Sequence, residues 1–316
     1  MQPEPNQGRL PYPVLEMGGT HVTAALVDLA AGTVHGEPAR ESLSPQGSAD
    51  EVLGGLARAA SRIGAPRDAR WGVAVPGPFA YETGVALFEG VGKFDALYGV
   101  DVGAALRALI RPEPAALRFV NDADAFGLGE YAAGAAAGHQ RAVCLTLGSG
   151  VGSAFLSDGM PVNDGPAVPP EGSTHRLFVD GRPLEDTVSR RAIRAAYARA
   201  AGCGGDEVPD VRAIAARARE GDRVAGDVLD HAFRSLGGAI APWLDRFAAS
   251  VLVVGGSIAG SWDRVAGPLR EGLADAGAPE VRLAPAEQPE RAPLLGAARW
   301  AALGSVGREP DPAVRL

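Results

Sequence analysis

Two stretches of this chain repeat one another at a constant offset of 130 residues, and that repeat limits what the chain can fold into. The first is Val14-Leu-Glu-Met-Gly-Gly-Thr-His-Val-Thr-Ala-Ala-Leu-Val-Asp28. The second is Leu145-Thr-Leu-Gly-Ser-Gly-Val-Gly-Ser-Ala-Phe-Leu-Ser-Asp158. Leu15 matches Leu145, Gly18 matches Gly148, Ala24 matches Ala154, Leu26 matches Leu156 and Asp28 matches Asp158. Each reads as a strand, a glycine turn and a second strand. A glycine pair between strands also marks an ordinary hairpin. A repeat this widely spaced is not a solenoid period, and it predicts two halves built alike. Consecutive backbone amides in glycine-rich turns form concavities that bind anions, so two such turns facing each other would clamp a polyphosphate.

Between and after these hairpins, strand and helix patterns alternate. Helices are predicted over Ser48–Ile63, with Ser48 or Asp50 as cap, and over Asp101–Ile110, Ala123–Ala137, Leu184–Ala201, Val208–Glu220, Asp222–Ala248, Ser261–Ala274 and Ala292–Leu303. In the long helix Leu229, Phe233, Leu236, Ile240, Trp243 and Phe247 form one apolar stripe that reads as core. Strands are predicted at Trp71–Val75, Leu117–Val120, Phe178–Val179, Val251–Val254 and Val281–Leu283. The alternation gives an α/β class with largely parallel pairing between hairpins. The length of 316 residues suggests two domains. The division expected is a smaller lobe of 1–120 plus 292–316 and a larger lobe of 121–291, and 304–316 reads as a loose tail.

Composition excludes several classes. Apolar residues make up 46%, charged residues 22%, and the net charge is −8 without a dense basic run, which argues against nucleic acid and anionic membranes. No apolar run reaches the length that spans a bilayer, and Met1 to Pro13 has no apolar signal-peptide core. Two cysteines, Cys144 and Cys203, supply neither a disulfide framework nor a thiolate metal site. A cytoplasmic location is the default expectation.

Ligands in parallel α/β sheets collect at the carboxyl ends of strands. Gly18-Gly19-Thr20, Pro76-Gly77-Pro78, Asn121-Asp122, Gly148-Ser149-Gly150 and Gly255-Gly256-Ser257 all fall there, and they are expected to line one cleft. Asp122 follows an apolar strand and precedes a helix. A carboxylate so placed can accept a proton from a substrate hydroxyl during phosphoryl transfer; the alternative is an ordinary helix N-cap. Asn121 would hold a substrate hydroxyl or cap the same helix. Glu171 and His175 suit polyol recognition, or form a solvated loop pair. His21, His35, His139 and His231 lack metal-ligand spacing. There is no Gly-x-x-x-x-Gly-Lys-Ser/Thr loop and no Gly-x-Gly-x-x-Gly after the first strand.

Taken in order, these motifs resemble the ROK family of sugar kinases, within the actin-like ATPase superfamily, from about Val14 to about Leu303. The family's Asp-x-Gly-Gly-Thr is here Glu16-Met-Gly18-Gly19-Thr20. Its Gly-x-x-x-Pro-Gly-Pro is Gly72-Val-Ala-Val-Pro76-Gly77-Pro78. Its Asn-Asp pair falls on Asn121-Asp122, followed by Gly129-Glu130. Its second phosphate turn is Gly148-Ser149-Gly150-Val-Gly152-Ser153, its late Gly-Gly-Ser is Gly255-Gly256-Ser257, and its terminal helix is Leu294-Leu-Gly-Ala-Ala298.

The resemblance implies a two-lobed fold with duplicated mixed sheets and a ligand cleft between lobes. It implies ATP as donor with Mg²⁺, a homodimer, and Asp122 as general base. Gly18, Gly19, Thr20, Gly148, Ser149, Gly150, Gly255, Gly256 and Ser257 would bind the nucleotide. Gly77, Glu89, Asn121, Glu171 and His175 would join Asp122 at the acceptor, and Glu16 would touch Mg²⁺ indirectly.

The departures cluster in the sugar pocket. Glu16 stands for the usual aspartate, and Glu171-Gly-Ser-Thr-His175 spaces its two polar residues one position further apart than the family does. The zinc motif is missing except for its tail Gly181-Arg-Pro-Leu184-Glu185, with Ser189 beyond, so no zinc site is expected. Glu89-Gly-Val-Gly-Lys93-Phe-Asp95 replaces the segment with the hexose-binding asparagine. The acceptor expected is a hexose, an aminosugar or N-acylated sugar, or a C7-cyclitol. Two alternatives remain. One is a catalytically impaired relative that binds sugar or nucleotide without turnover. The other is a DNA-binding regulator, disfavoured because only about a dozen residues precede the first strand.

Overall fold

The computed structural model describes residues 11–303 except 279; the N-terminal stretch before residue 11 and the expected tail 304–316 lie outside it. The chain falls into two units. One comprises the described residues up to Ala125 with those from Pro293 on, and the other is Phe126–Ala292.

The first unit opens with β1 (Tyr12–Met17), β2 (His21–Asp28) and β3 (Thr33–Ser42), followed by α1 (Ala49–Ser61) and β4 (Arg70–Val75). Two short strands, β5 (Phe79–Ala80) and β6 (Val85–Ala86), then α2 (Val102–Leu109) and β7 (Ala116–Asn121), lead into α3 (Asp122–Ala133). The sheet order is β3-β2-β1-β4-β7. β1, β2 and β3 pair antiparallel, whereas β4 and β7 run parallel to β1. The helices have local causes. Ser48 and Glu51 close a capping box at the start of α1, and Asp101 accepts from the amide of Ala104 at the start of α2.

The second unit repeats the plan. β8 (Arg141–Leu147), β9 (Val151–Ser157) and β10 (Met160–Pro161) are the antiparallel set. A small hairpin, β11 (Phe178–Val179) with β12 (Arg182–Pro183), precedes α4 (Glu185–Val188), α5 (Arg190–Ala201), α6 (Val211–Arg219) and α7 (Arg223–Phe247). Then come β13 (Val251–Gly255), α8 (Trp262–Asp275), β14 (Arg282–Pro285) and α9 (Ala292–Ala302), most of which belongs to the first unit. The order β10-β9-β8-β13-β14 mirrors the first sheet, with β13 parallel to both neighbours. The predicted duplication of mixed sheets is therefore the architecture.

Three sequence expectations change in detail. β3 is a strand that the pattern did not reveal, because most of its side chains are exposed. The single helix expected over Leu184–Ala201 is two, since Ser189 is extended and caps α5 through the amide of Ala192. The buried stripe of α7 passes through Leu244 rather than the half-buried Trp243.

Close approaches fix both units. A side chain at Gly72 of β4 would strike the backbone of Ala297 in α9, and one at Gly296 would strike that of Ala125. In the second unit Gly129 stands against Ala292 in the same way. Beside it, Glu130 is fully buried, and its carboxylate accepts from the amides of Ala135 (2.8 Å), Glu287 (3.1 Å) and Gln288 (2.8 Å). It gathers the end of α3 and the loop after β14 around one acceptor. Removing it would strand buried donors, each costing about 1–3 kcal/mol. Glu130→Ala is expected to destabilise the protein by about 3 kcal/mol or more, read as a lower denaturation midpoint. An unchanged midpoint would show the carboxylate to be dispensable.

Candidate functional site

In the first unit the sheet register brings the motifs together. Glu16 of β1 pairs with Ala74 of β4, which pairs with Val120 of β7; Val75 pairs with Asn121. The parallel strands therefore end side by side, and each is followed by a motif: Gly18-Gly19-Thr20, Pro76-Gly77-Pro78 and Asn121-Asp122. A β-carbon at Gly77 would lie 3.5 Å from the Tyr81 hydroxyl and 3.9 Å from the Asn121 amide nitrogen.

Asn121 is the cap of α3. Its Oδ1 accepts from the amides of Ala123 (3.0 Å) and Asp124 (3.3 Å), and its Nδ2 donates to the Tyr81 hydroxyl at 2.9 Å. The capping role weighed for Asp122 thus falls mainly to its neighbour. Asp122 is the first residue of α3, with Oδ1 accepting from the amide of Ala123 at 2.9 Å. Burial pushes its pKa up, opposed by the charge of Lys93 and by backbone amides. Glu16 is a close electrostatic neighbour. Burial and then the Asp122 charge push its pKa up to about 6, against the opposing pull of Arg40 and a hydrogen bond with Thr23. The Tyr81 hydroxyl is also pushed up by burial.

The Gly18-Gly19-Thr20 turn is closed by the Gly18 amide donating to the His21 carbonyl at 2.8 Å, while a side chain at Gly19 would meet open space. His21 receives the Arg40 guanidinium on Nε2 at 2.6 Å, which leaves its proton on Nδ1, 3.4 Å from the Thr20 hydroxyl. Burial and Arg40 lower its pKa, so His21 is a neutral part of the turn's frame.

In the second unit, β8 and β13 also end together, with Gly255 opposite Thr146. Gly148 lies against Ser257: a β-carbon on it would be 3.7 Å from that hydroxyl. Arg190 ties the two turns, donating its backbone amide to the Gly148 carbonyl at 2.8 Å and its guanidinium to Ser257 Oγ at 3.0 Å. Gly256 has φ +83° and stands against the backbone of Leu147, where no side chain fits. Glu185 accepts from the amide of Val151 at 3.0 Å and lies 2.6 Å from where a Gly150 β-carbon would be. A pocket beside this turn is lined by Ser149, Arg190, Arg191 and Arg194.

The remaining expected residues are less assembled. Glu89 is exposed. Glu171 is left-handed (φ +58°), largely exposed, and paired with Arg176 at 3.2 Å. His175 is half-buried; burial lowers its pKa and the nearby Glu185 opposes this. Among the described residues no group of three or more His, Cys, Asp or Glu side chains could hold a metal ion, and no helix is long and apolar enough to cross a membrane. Tyr81, Lys93, Glu185 and Arg190 did not stand out as site residues in the sequence, because each reaches its partner from a distant segment.

Two sheets of the same mixed order, each with glycine turns at its parallel carboxyl ends, define a protein of the actin-like ATPase fold. The chain belongs to the ROK family, whose profile matches residues 12–176 and 178–303. It is similar to the glucokinase of Thermotoga maritima, 28% identical over 280 residues covering 83% of this chain and 86% of that one. It is similar in structure to a ROK family glucokinase from Streptomyces griseus solved with glucose and AMPPNP. There the TM-score is 0.76 at 22% identity, over 93% of this chain and 100% of that one. A ROK hexokinase from Thermus thermophilus aligns with a TM-score of 0.71 at 24% identity, over 91% and 96% of the two chains. At these identities the solved structures speak for the fold.

The raised pKa of Glu16 has a stability consequence. Between about 4.5, its ordinary value, and about 6, the folded chain binds more protons than the unfolded chain, so stability falls as pH rises through that window. Glu16→Gln removes the effect. The variant is expected to be more stable than the parent by about 2 kcal/mol above that window and equal to it below, measured by denaturant unfolding on both sides. A gain that does not depend on pH would exclude the buried charge as its cause.

Proposed function

We propose that this chain is an ATP-dependent kinase that phosphorylates a hydroxyl of a sugar or sugar-like polyol, with Asp122 as general base. The observation that carries this reading is a half-buried carboxylate of raised pKa at the end of a parallel strand, level with the Gly18-Gly19-Thr20 and Pro76-Gly77-Pro78 turns. A carboxylate whose pKa is raised is, once ionised, a stronger base.

In the proposed step the acceptor hydroxyl gives its proton to Asp122 as its oxygen attacks the γ-phosphorus. The new O–P bond forms, the bond to the β-phosphate oxygen breaks, and ADP leaves. In the first turn the amides of Gly19 and Thr20, and in the second those of Ser149 and Gly150, would be the ones given to phosphate oxygens, Gly18 and Gly148 closing the turns, and Gly255–Ser257 would border the nucleotide. Arg190 and Ser149 add charge and a hydroxyl in the pocket beside the second turn. Asn121 has one amide hydrogen left after capping α3 and meeting Tyr81, and it would donate this to the acceptor. Gly77 leaves room for the acceptor, and Glu89, Glu171 and His175 are the remaining candidates around it.

Mg²⁺ fits this site as an ion carried mainly by nucleotide phosphates. The side chains nearby, Glu16 and Asp122, are oxygen donors but too few to cage it. When bound, it neutralises charge on the phosphates; Glu16 would hold it, directly or through water. The relatives' glucokinase names support a hexose, while Glu89–Asp95 favours an aminosugar or cyclitol. A homodimer and a cytoplasmic location belong to the same reading.

A second reading, a relative that binds nucleotide or sugar without turnover, is favoured by Glu171 being engaged with Arg176 at the surface. A coupled ADP-release assay over hexoses, aminosugars and cyclitols separates the two. Asp122→Asn is expected to lower kcat by about 10³-fold or more while sparing nucleotide affinity. Turnover retained in that variant removes Asp122 from its role. Arg190→Ala is expected to raise the KM for ATP about tenfold with the acceptor KM unchanged. The opposite split would move Arg190 to the acceptor side.

A further inference from the structure

Of the 30 lysine and arginine residues in this chain, one is a lysine: Lys93. The rest of those are arginines, each a guanidinium. The two groups are not interchangeable, because an ammonium is a compact point charge with three donors, whereas a guanidinium is a broad planar fork.

The fold takes trouble over where Lys93 stands. Its neighbour Phe94 is fully buried in a left-handed conformation (φ +59°), and its amide donates to the carbonyl of Pro45 at 2.5 Å. The Gln46 side chain donates to the carbonyl of Gly92 at 3.2 Å. The Phe94 ring packs on Phe88 (5.9 Å between centroids), Phe88 on Phe79 (6.4 Å), and Phe79 on Phe119 (5.1 Å). Phe119 lies in β7, two residues before Asn121. A chain of aromatic rings therefore fixes the segment bearing Lys93 to the strand that ends at Asp122.

Lys93 itself is half-buried. Its charge acts on the Asp122 carboxylate, yet among the described residues the two form no ion pair. The two opposite charges are therefore near one another without being bonded to each other. Other charged groups stand near the same carboxylate: Glu16 from β1 feels its charge and that of Arg40 of β3, and the Tyr81 hydroxyl feels the charges of both Asp122 and Asp124 of α3. An acidic acceptor would be repelled by these carboxylates, whereas a neutral polyol would not.

We propose that Lys93 is a second acceptor-binding group. Its ammonium donates to a hydroxyl oxygen of a neutral polyol, adjacent to the hydroxyl whose proton Asp122 accepts. This rests on the phosphotransfer reading above and narrows it to neutral acceptors with adjacent hydroxyls.

A chain with one lysine allows a direct test. Reductive methylation with formaldehyde and a borane amine modifies only Lys93 and the terminal amine, and peptide mapping follows each. The best acceptor from the assay panel is expected to slow Lys93 labelling several-fold, with terminal labelling as the internal control and ADP alone without effect. Protection by ADP and not by the acceptor would put Lys93 on the donor phosphates and overturn the proposal.

In kinetics, Lys93→Met is expected to raise the acceptor KM at least about tenfold, leave the KM for ATP unchanged, and move the acid limb of kcat/KM to higher pH. Lys93→Arg is expected to restore the acid limb but only part of the acceptor affinity. A folded Lys93→Met protein with the parental acceptor KM and acid limb overturns this inference alone. If the parent protein phosphorylates no member of the panel, the kinase reading fails and this inference with it.

Discussion

The constraint on which the site depends is that two carboxylates, Glu16 and Asp122, are withdrawn from water close to one another. Burial is the first cause of the raised pKa of each, and at Glu16 the like charge of Asp122 adds to it. Several elements of the first unit offset that cost. The amides at the start of α3 and the charge of Lys93 pull Asp122 back toward ionisation, and Arg40 and Thr23 do the same for Glu16. Asn121 takes over the cap of α3, leaving the carboxylate of Asp122 less committed to holding the helix together. A general base needs this balance, since a fully stabilised carboxylate would be too weak a base and an uncompensated one would stay protonated.

Where the motifs stand follows from the sheets. In each unit a hairpin feeds parallel strands whose register sets their carboxyl ends level, so the turns that follow are neighbours without further arrangement. A one-residue slip would turn every side chain of a strand to the opposite face. Buried strands such as β4 and β13 resist that slip because both of their faces are covered. Duplication then supplies the same device twice, once beside Asp122 and once beside Arg190 and Ser257.

Much of this was legible in the sequence, for identifiable reasons. The offset repeat announced the duplicated sheets because the glycines and the apolar strand residues recur together. Helix starts were readable because Asn121, Ser48 and Asp222 are side chains that helices recruit as caps. β3 escaped because an exposed edge strand need not alternate, and the break at Ser189 escaped because serine is tolerated inside helical patterns as well as at their caps. Within the site, Asp122 and Asn121 could be named because both lie in one local motif. Tyr81, 40 residues before Asn121, could not, and neither could Lys93 or Arg190. Their roles come from segments that only the fold brings alongside.

The second glycine turn shows how little a motif decides alone. Gly148-Ser149-Gly150 looks self-sufficient in the sequence, yet its shape is held by residues 34 and 42 positions beyond their partners. Glu185 takes the amide of Val151, and its carboxylate sits so near Gly150 that a β-carbon there would press against it. Arg190 takes the carbonyl of Gly148 and reaches on to Ser257. The break at Ser189 makes both contacts possible, because one continuous helix from Leu184 would carry Glu185 and Arg190 on faces about 140° apart. Ending α4 and restarting at α5 lets the Glu185 carboxylate take the Val151 amide while the Arg190 backbone amide takes the Gly148 carbonyl and its guanidinium reaches Ser257. The shape of the turn is therefore a property of the α4–α5 junction as much as of its glycines.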